Sequence, residues 1–511
     1  MAPRLPVAAA VLLGAATVLG FAPFGLSPLP VLTLAGLFLL WLRALTPRRA
    51  AVIGFGFGLG LFATGASWVY TALAQFGAMH GLLAGLATAG FCAYLALFPA
   101  LAGWAAARLA PVDAAPRLVA AAGCWTVSEW LRSWLLSGFP WLSVGYAQTH
   151  APLGGYAPLG GAFLVSLAVA ASAALLAALA PYPPRAIRTR QRRIALIGAL
   201  LGVWVAGLGL GRIEWSHAVG DPIAVSLVQG NVAEDLKFES AYREATLTTY
   251  AELADQAKGR LIVLPESALP MFADEVPPDY FARLRAAALK RGGDLLVGVF
   301  LFQPRATDEG EDYYFNSVLS LGSSPTQVYI KRHLVPFGET IPAKPIVGWF
   351  IRRVLHIPLA DQTPGAADQP PFDVAGQRVA VNICYEDAFG GELIRELPEA
   401  TLLVNVTNDA WYGHSLAAEQ HEQIAAMRAR ETARPMLRAT NTGITSIIDH
   451  RGAEIARLPW FTRGILEDTA IAGRSGTTPY VRYGDAIAVA AGVVLAALSF
   501  LLGRRRKRAA R

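Results

Sequence analysis

Eight apolar runs, each near the roughly 20 residues that an α-helix needs to cross a bilayer, occupy about 6–25, 29–45, 51–70, 82–106, 118–136, 161–180, 194–211 and 485–503. A chain built this way is not an ordinary soluble globule, and a multi-pass membrane protein is the expectation. The first run resembles a secretory leader, but no small-residue cleavage pattern precedes Pro23 and a second apolar run follows at once, so it is expected to stay as a helix.

Acidic residues divide the chain. Outside 213–482 the only acids are Asp113, Glu129 and Asp485, which leaves 34 of the 37 inside that stretch and marks it as a water-exposed domain. The expected division is therefore 1–212, a transmembrane domain of seven helices; 213–482, a water-exposed domain; and 483–511, a last transmembrane helix with a basic tail. The formal charge of +7 suggests nucleic acid at first sight, yet the densest basic clusters, Arg185 to Arg193 and Arg504 to Arg511, adjoin apolar runs. Membrane topology accounts for them better. With both termini cytoplasmic, Arg4, Arg48, Arg49, Arg108, Arg117, the 185–193 cluster and the tail all fall on one side. The loops around 26–28, 71–81 and 137–160 carry no Lys, Arg, Asp or Glu. The 213–482 domain emerges on their side, which predicts a periplasmic domain.

Within that domain, β-type runs at Ile223–Val228, Leu261–Leu264, Leu295–Phe300, Val328–Ile330, Val379–Ile383 and Leu402–Val406 alternate with helical patterns near 279–290 and 416–434, which predicts a layered α/β fold. Pro342–Pro371 reads as long loops, and there is no internal repeat. Of the three cysteines, Cys92 and Cys124 lie in apolar runs, so Cys384 stands alone in the domain and has no disulfide partner there.

Three groups sit where apolar strand patterns stop. Cys384 follows Val379-Ala380-Val381-Asn382-Ile383, Glu266 follows Leu261-Ile262-Val263-Leu264-Pro265, and Lys331 follows Gln327-Val328-Tyr329-Ile330. Singly, each has an ordinary reading: a small buried hydrophobe, a solvated loop carboxylate and a surface charge. Together they supply what acyl transfer requires, a thiol, a carboxylate to take its proton and a cation for the oxyanion.

Leu-Pro-Glu-Ser, Lys-Arg-His-Leu-Val-Pro-Phe-Gly-Glu and Asn-Ile-Cys-Tyr-Glu-Asp, in that order, resemble the Glu, Lys and Cys motifs of the nitrilase (carbon–nitrogen hydrolase) superfamily over most of 223–450. With membrane helices on both sides, Gly138-Phe139-Pro140-Trp141 and Asn408-Asp409-Ala410-Trp411-Tyr412-Gly413-His414 extend the likeness to its membrane-bound branch, the apolipoprotein N-acyltransferases. The resemblance implies an α-β-β-α sandwich with Glu266 as general base, Lys331 as oxyanion stabiliser and Cys384 as nucleophile. Glu339, Tyr385 and Glu386 fall at matching positions and should line the site. So should Asn231 and Phe238, the latter where family members often place Trp. It further implies a fatty acyl group passing from a phospholipid, with phosphatidylethanolamine the expected donor. The acyl group travels through a cysteine thioester to the α-amino group of an apolipoprotein's diacylglyceryl-cysteine, the last step of lipoprotein maturation. No cofactor, metal or nucleic acid is implied.

Other readings compete. The same triad with water as acceptor describes a membrane-tethered amidase, and a chain that had lost catalysis describes a transporter or scaffold. His414 and His421, with Glu419 and Glu422 nearby, invite a metal, but their seven-residue spacing matches no compact motif and ordinary polar roles are expected. Glu129 and Arg132, three apart in an apolar helix, are either a packing pair or a contact for a lipid headgroup. Trp349-Phe350-Ile351 beside Arg352 and Arg353 is either a loop tip in the bilayer interface or core.

Overall fold

The computed structural model describes residues 5–77, 79–110, 114–180, 189–233, 240–304, 312–340 and 362–509. Trp349 to Arg353 and Phe238 lie outside them. The chain forms two compact units: one from residues up to Tyr70, His80–Glu214 and Thr478 onward, the other from Thr71–Met79 and Trp215–Thr477.

The first unit is helical. Gly81–Leu109, Pro152–Leu179, Arg190–Leu210 and Ala486–Arg504 are each long and apolar enough to cross a membrane. Pro47–Gly65 joins them if counted with Trp68–Phe76, to which it is bent by 52°. Leu5–Gly20 and Leu29–Arg43 are apolar but shorter, and Ala114–Arg132 carries Arg117, Glu129 and Arg132 within its length. Each of the eight expected runs thus holds a helix, of which four, or five with the bent pair, have spanning length and composition among the described residues.

The buried charges here have structural partners. Arg117 donates through Nε to the Ala110 carbonyl at 2.8 Å, and through Nη1 to those of Trp41 at 3.1 Å and Ala44 at 2.7 Å. It therefore satisfies carbonyls that the helix ends Leu29–Arg43 and Gly81–Leu109 leave without intrahelical donors. Arg132 donates to the carbonyls of Phe139 and of Trp141 (2.6 Å) and to Ser143 Oγ (3.0 Å), while Glu129 Oε1 accepts the Val144 N–H at 2.9 Å. Both side chains are thus engaged with the loop that follows their own helix, and Gly138-Phe139-Pro140-Trp141 is folded back against it. Gly138 has φ +84°, and a Cβ there would lie 2.0 Å from the Ser133 carbonyl oxygen, so glycine is required at the reversal.

The second unit holds two sheets. The strands are β1 (His217–Gln229), β2 (Leu261–Val263), β3 (Leu269–Phe272), β4 (Asp294–Gln303), β5 (Tyr313–Gly322) and β6 (Val328–Ile330), then β7 (Phe372–Val374), β8 (Gln377–Ile383), β9 (Leu402–Thr407), β10 (Met436–Thr440), β11 (Ser446–Ile448), β12 (Glu454–Arg457) and β13 (Gly464–Ser475). One sheet runs β13-β1-β2-β4-β5-β6 with β3 beside β4, and the other runs β12-β11-β10-β9-β8-β7. Helices Ser240–Gln256 and Pro278–Leu289 place Tyr250, Leu253, Ala254, Leu284 and Ala288 in one core with Ile262, Leu295 and Val297 of the first sheet. Helix Ala417–Thr432 packs on β10 and β11 of the second. All six expected β-runs and both expected helices are present; β3, β5, β7, β10, β11, β12, β13 and helix Ser240–Gln256 are additional. Each sheet has a parallel centre, β1-β2-β4 and β8-β9-β10, as expected where strands are buried on both faces and return through helices. Parallel pairing collects carboxyl ends at one edge, and Ile383 pairs with Val406 there. Thr71–Met79 belongs with this unit, the Phe76 ring lying 5.6 Å from that of Trp411.

Replacing Arg132 with alanine would strip donors from two buried carbonyls and a hydroxyl. It is expected to cost at least about 3 kcal/mol, read as a lowered Tm of the detergent-purified protein, whereas Arg48→Ala at an exposed helix start should leave Tm unchanged.

Candidate active site

Glu266 stands on the turn after β2. The strand is fully buried, the Leu264 N–H bonds the Leu296 carbonyl at 2.9 Å, and the chain then turns through Pro265 to Ser267, whose φ is +49°. A Cβ on Gly298 of β4 would lie 2.5 Å from the Pro265 oxygen and 2.6 Å from the Ser267 nitrogen, so the glycine permits this close approach of two backbones. Lys331 follows β6, its N–H bonded to the Asn316 carbonyl of β5 at 2.9 Å. Cys384 follows β8 with φ +53°, a left-handed conformation that costs a side-chain-bearing residue about 1–2 kcal/mol. The short helical turn Cys384–Ala388 holds it there, with the Glu386 carboxylate accepting the Ile383 N–H at 2.7 Å.

The three strand ends meet around a buried ammonium. The Lys331 side chain is 0% exposed, with Nζ 2.7 Å from Glu339 Oε1 and 3.3 Å from Glu266 Oε1. Burial alone would push this lysine toward neutrality. Glu266, Glu339 and the Cys384 sulfur outweigh it and hold the lysine well above its ordinary range. Glu266 Oε1 also accepts from Asn316 Nδ2 at 2.8 Å, and Glu339 Oε2 accepts the Val335 N–H at 2.9 Å. Burial, then the neighbouring Glu266, push the Cys384 thiol well above its usual value against the opposing pull of Lys331 and a hydrogen bond with Thr407. At rest Cys384 is a thiol with the Glu266 carboxylate in its electrostatic surroundings.

The other expected residues have distinct places. Glu386 is a splint: beyond Ile383 it accepts the N–H groups of Arg332 at 2.8 Å and His333 at 3.2 Å and the Tyr329 hydroxyl at 3.1 Å, tying the Cys384 turn to the Lys331 strand end. The Tyr385 ring meets Phe389 edge-on at 4.9 Å. Asn231, at φ +52°, spends its amide on the Phe461 carbonyl at 3.1 Å. His414 stacks on Phe461 with ring centroids 4.0 Å apart, while His421 bridges Asp387 and Asp409, 2.9 Å from an oxygen of each.

Sequence reasoning missed Asn316, Thr407 and the polar residues beneath Cys384: Asp387, Asn405, Asp409 and Arg438. Asp387 and Asp409 stood inside the quoted motifs without a role. Asn316, Asn405 and Arg438 lie within strands and carry no local signal.

Two family models cover the chain: "Apolipoprotein N-acyltransferase N-terminal domain" over residues 13–175 and "Carbon-nitrogen hydrolase" over 224–479. A protein of Nitrosomonas europaea is 50% identical over 504 residues, 98% of each chain. One of Methylococcus capsulatus is 44% identical over 493 residues, 96% of this chain and 94% of its own. A third, of Chromobacterium violaceum, is 43% identical over 500 residues, 98% of this chain and 94% of its own. All three bear the name apolipoprotein N-acyltransferase.

The raised thiol sets a pH dependence. Alkylation of Cys384 by iodoacetamide, followed on its own peptide to separate it from Cys92 and Cys124, should be slower at pH 7.5 than that of a free cysteine and still climbing at pH 9. Glu266→Gln removes a charge that raises the thiol, so its profile should move to lower pH.

Proposed function

Because the chain belongs to the apolipoprotein N-acyltransferase family, we propose that Cys384 takes a fatty acyl group from a membrane phospholipid as a thioester and delivers it to the diacylglyceryl-cysteine at an apolipoprotein's amino terminus. The chain is an acyltransferase of lipoprotein biosynthesis. The observation that carries the finer reading is the buried Lys331 ammonium between Glu266 and Glu339, beside a cysteine on a left-handed turn.

In the first half-reaction Glu266 takes the thiol proton as sulfur attacks the ester carbonyl. The C–S bond forms, the C–O bond breaks, and the proton passes to the departing lysophospholipid oxygen. Lys331 and the Tyr385 backbone N–H stabilise the tetrahedral oxyanion, and Glu339 keeps the ammonium aimed. In the second, the acceptor α-amino nitrogen attacks the thioester, C–N forms and C–S breaks, and the amine proton returns through Glu266 to sulfur. Phosphatidylethanolamine is the proposed donor. Glu339, Tyr385, Glu386, Asn231 and Phe238 complete the proposed site.

The topology belongs to the same reading: eight spans in a bacterial inner membrane, both termini cytoplasmic, and the domains divided as 1–212, 213–482 and 483–511 with the middle one periplasmic. Both substrates are anchored in a bilayer, so tethering the catalytic unit removes the cost of bringing a soluble enzyme to them.

Intact mass spectrometry after incubation with phospholipid alone should show an acyl-sized, hydroxylamine-labile adduct on the native protein and none on Cys384→Ser. A folded native protein that consumes no phospholipid and gains no adduct would refute lipid as donor. Lys331→Ala is expected to slow adduct formation by about 10²–10³-fold, and full activity in that variant would remove the role given to Lys331.

A further inference from the structure

Beneath the Cys384 turn lies a second ionic cluster with no part in the chemistry above. His421 of helix Ala417–Thr432 places Nδ1 2.9 Å from Asp409 Oδ1 and Nε2 2.9 Å from Asp387 Oδ1. Arg438 of β10 reaches the other oxygens of the same two carboxylates, 3.1 Å to Asp387 Oδ2 and 2.9 Å to Asp409 Oδ2. All four side chains are at most 1% exposed.

This geometry favours a protonated His421. Arg438 faces both aspartates and favours their ionised forms, and an ionised carboxylate only accepts, so a ring nitrogen facing one carries a proton. Both nitrogens face one, which makes the ring an imidazolium. The charges then balance, two cations against two anions, as a site without water demands. Burial and Arg438 both oppose protonation, yet the two aspartates prevail and raise His421 above its ordinary range.

The cluster touches the nucleophile at one atom. The Cys384 carbonyl oxygen lies 3.3 Å from His421 Nε2 and accepts from Asn405 Nδ2 at 3.1 Å. Asn405 is itself oriented by Asn382 Oδ1, 2.6 Å from its Nδ2, and by Arg438 Nη1, 2.7 Å from its Oδ1. The 384–385 peptide is trans, so its N–H points opposite to its C=O. Whatever grips the Cys384 oxygen therefore aims the Tyr385 N–H, and a cationic donor on the oxygen polarises the amide and strengthens that N–H as a donor.

We infer that His421, held as an imidazolium between Asp387 and Asp409, is a positioning residue that with Asn405 fixes the Cys384–Tyr385 peptide so that the Tyr385 N–H faces the oxyanion. This rests on the acyl-enzyme reading of Cys384. It also gives the cluster's charges a reason: apolar side chains would fill the same space without the desolvation cost of four ions, but could not hold a carbonyl.

The test uses two reactions of one thiol in the full-length protein. Thioester formation from phospholipid passes through an oxyanion, whereas alkylation by iodoacetamide is a direct displacement without one. In His421→Gln and in the charge-neutral Asn405→Ala, thioester formation is expected to fall by about 10²-fold. Alkylation of Cys384 and the phospholipid KM should stay within about threefold of the native protein in Asn405→Ala; in His421→Gln, where the lost cation leaves Asp409 to raise the thiol further, alkylation should fall by far less than thioester formation, with Tm showing both variants folded. A parallel fall of both reactions, thioester formation unchanged in folded variants, or failure of both to fold would each overturn the inference by reducing the cluster to scaffold. Absence of the thioester in the native protein, with alkylation normal, would instead overturn the acyl-enzyme reading on which it rests.

Discussion

The catalytic unit is organised around the cost of burying one ammonium ion. A lysine with no solvent exposure stays charged only if carboxylates come to it, and here they arrive from separate parts of the chain, Glu266 after β2 and Glu339 from the segment that follows Lys331 itself. They reach it because β2 and β6 both stop beside it, Val263 ahead of the turn that carries Glu266 and Ile330 directly before Lys331. The same requirement explains why Gly298 admits the Glu266 turn so closely. It also leads to Glu386, whose carboxylate stitches the Cys384 turn to the backbone following Lys331. Remove the need to solvate that ammonium and most of these devices lose their purpose.

How much of this was legible in the sequence depended on whether the signal was local. Glu266, Lys331 and Cys384 were readable because each interrupts a run of buried, β-type residues at the point where the run stops. The central strands and two helices were readable for the same reason, as were the apolar helices. What escaped depends on partners far away in sequence. β13 looks like any exposed segment until it pairs with β1, and Asn405 and Arg438 sit inside strand patterns where a polar residue reads as noise. His421 was weighed as a metal ligand beside His414, but the fold gives the two rings different partners, one aspartates and the other Phe461. Glu386 was expected to line the site because it falls at a matching position of the family's motif. Its hydrogen bonds show it working through the backbone, which no spacing could reveal.

The helical unit follows the same rule. Glu129 and Arg132 looked costly in an apolar helix, with packing and lipid contact as alternatives that sequence could not separate, and Arg117 was read only as one of the basic residues on the cytoplasmic side. Each turns out to satisfy backbone groups that a helix end or a sharp loop leaves without partners. A charge in an apolar setting is tolerated where it replaces several missing backbone hydrogen bonds at once, and a guanidinium with its five donors does this better than any other side chain.

The two ionic clusters of the catalytic unit differ in their arithmetic, and the difference bears on the chemistry. Asp387, Asp409, Arg438 and the imidazolium of His421 sum to zero, which suits a group meant to hold still. Lys331 with Glu266 and Glu339 carries one excess negative charge, placed beside a thiol that burial already keeps protonated. A second anion on sulfur is unfavourable while that charge remains on Glu266. In the proposed acyl transfer, the proton moves to Glu266 as the negative charge moves through sulfur to the substrate's carbonyl oxygen, where Lys331 and the Tyr385 N–H receive it. The total charge of the site never changes along that path, so the protein around it has little to reorganise, the condition under which preorganised electrostatics lowers a barrier most.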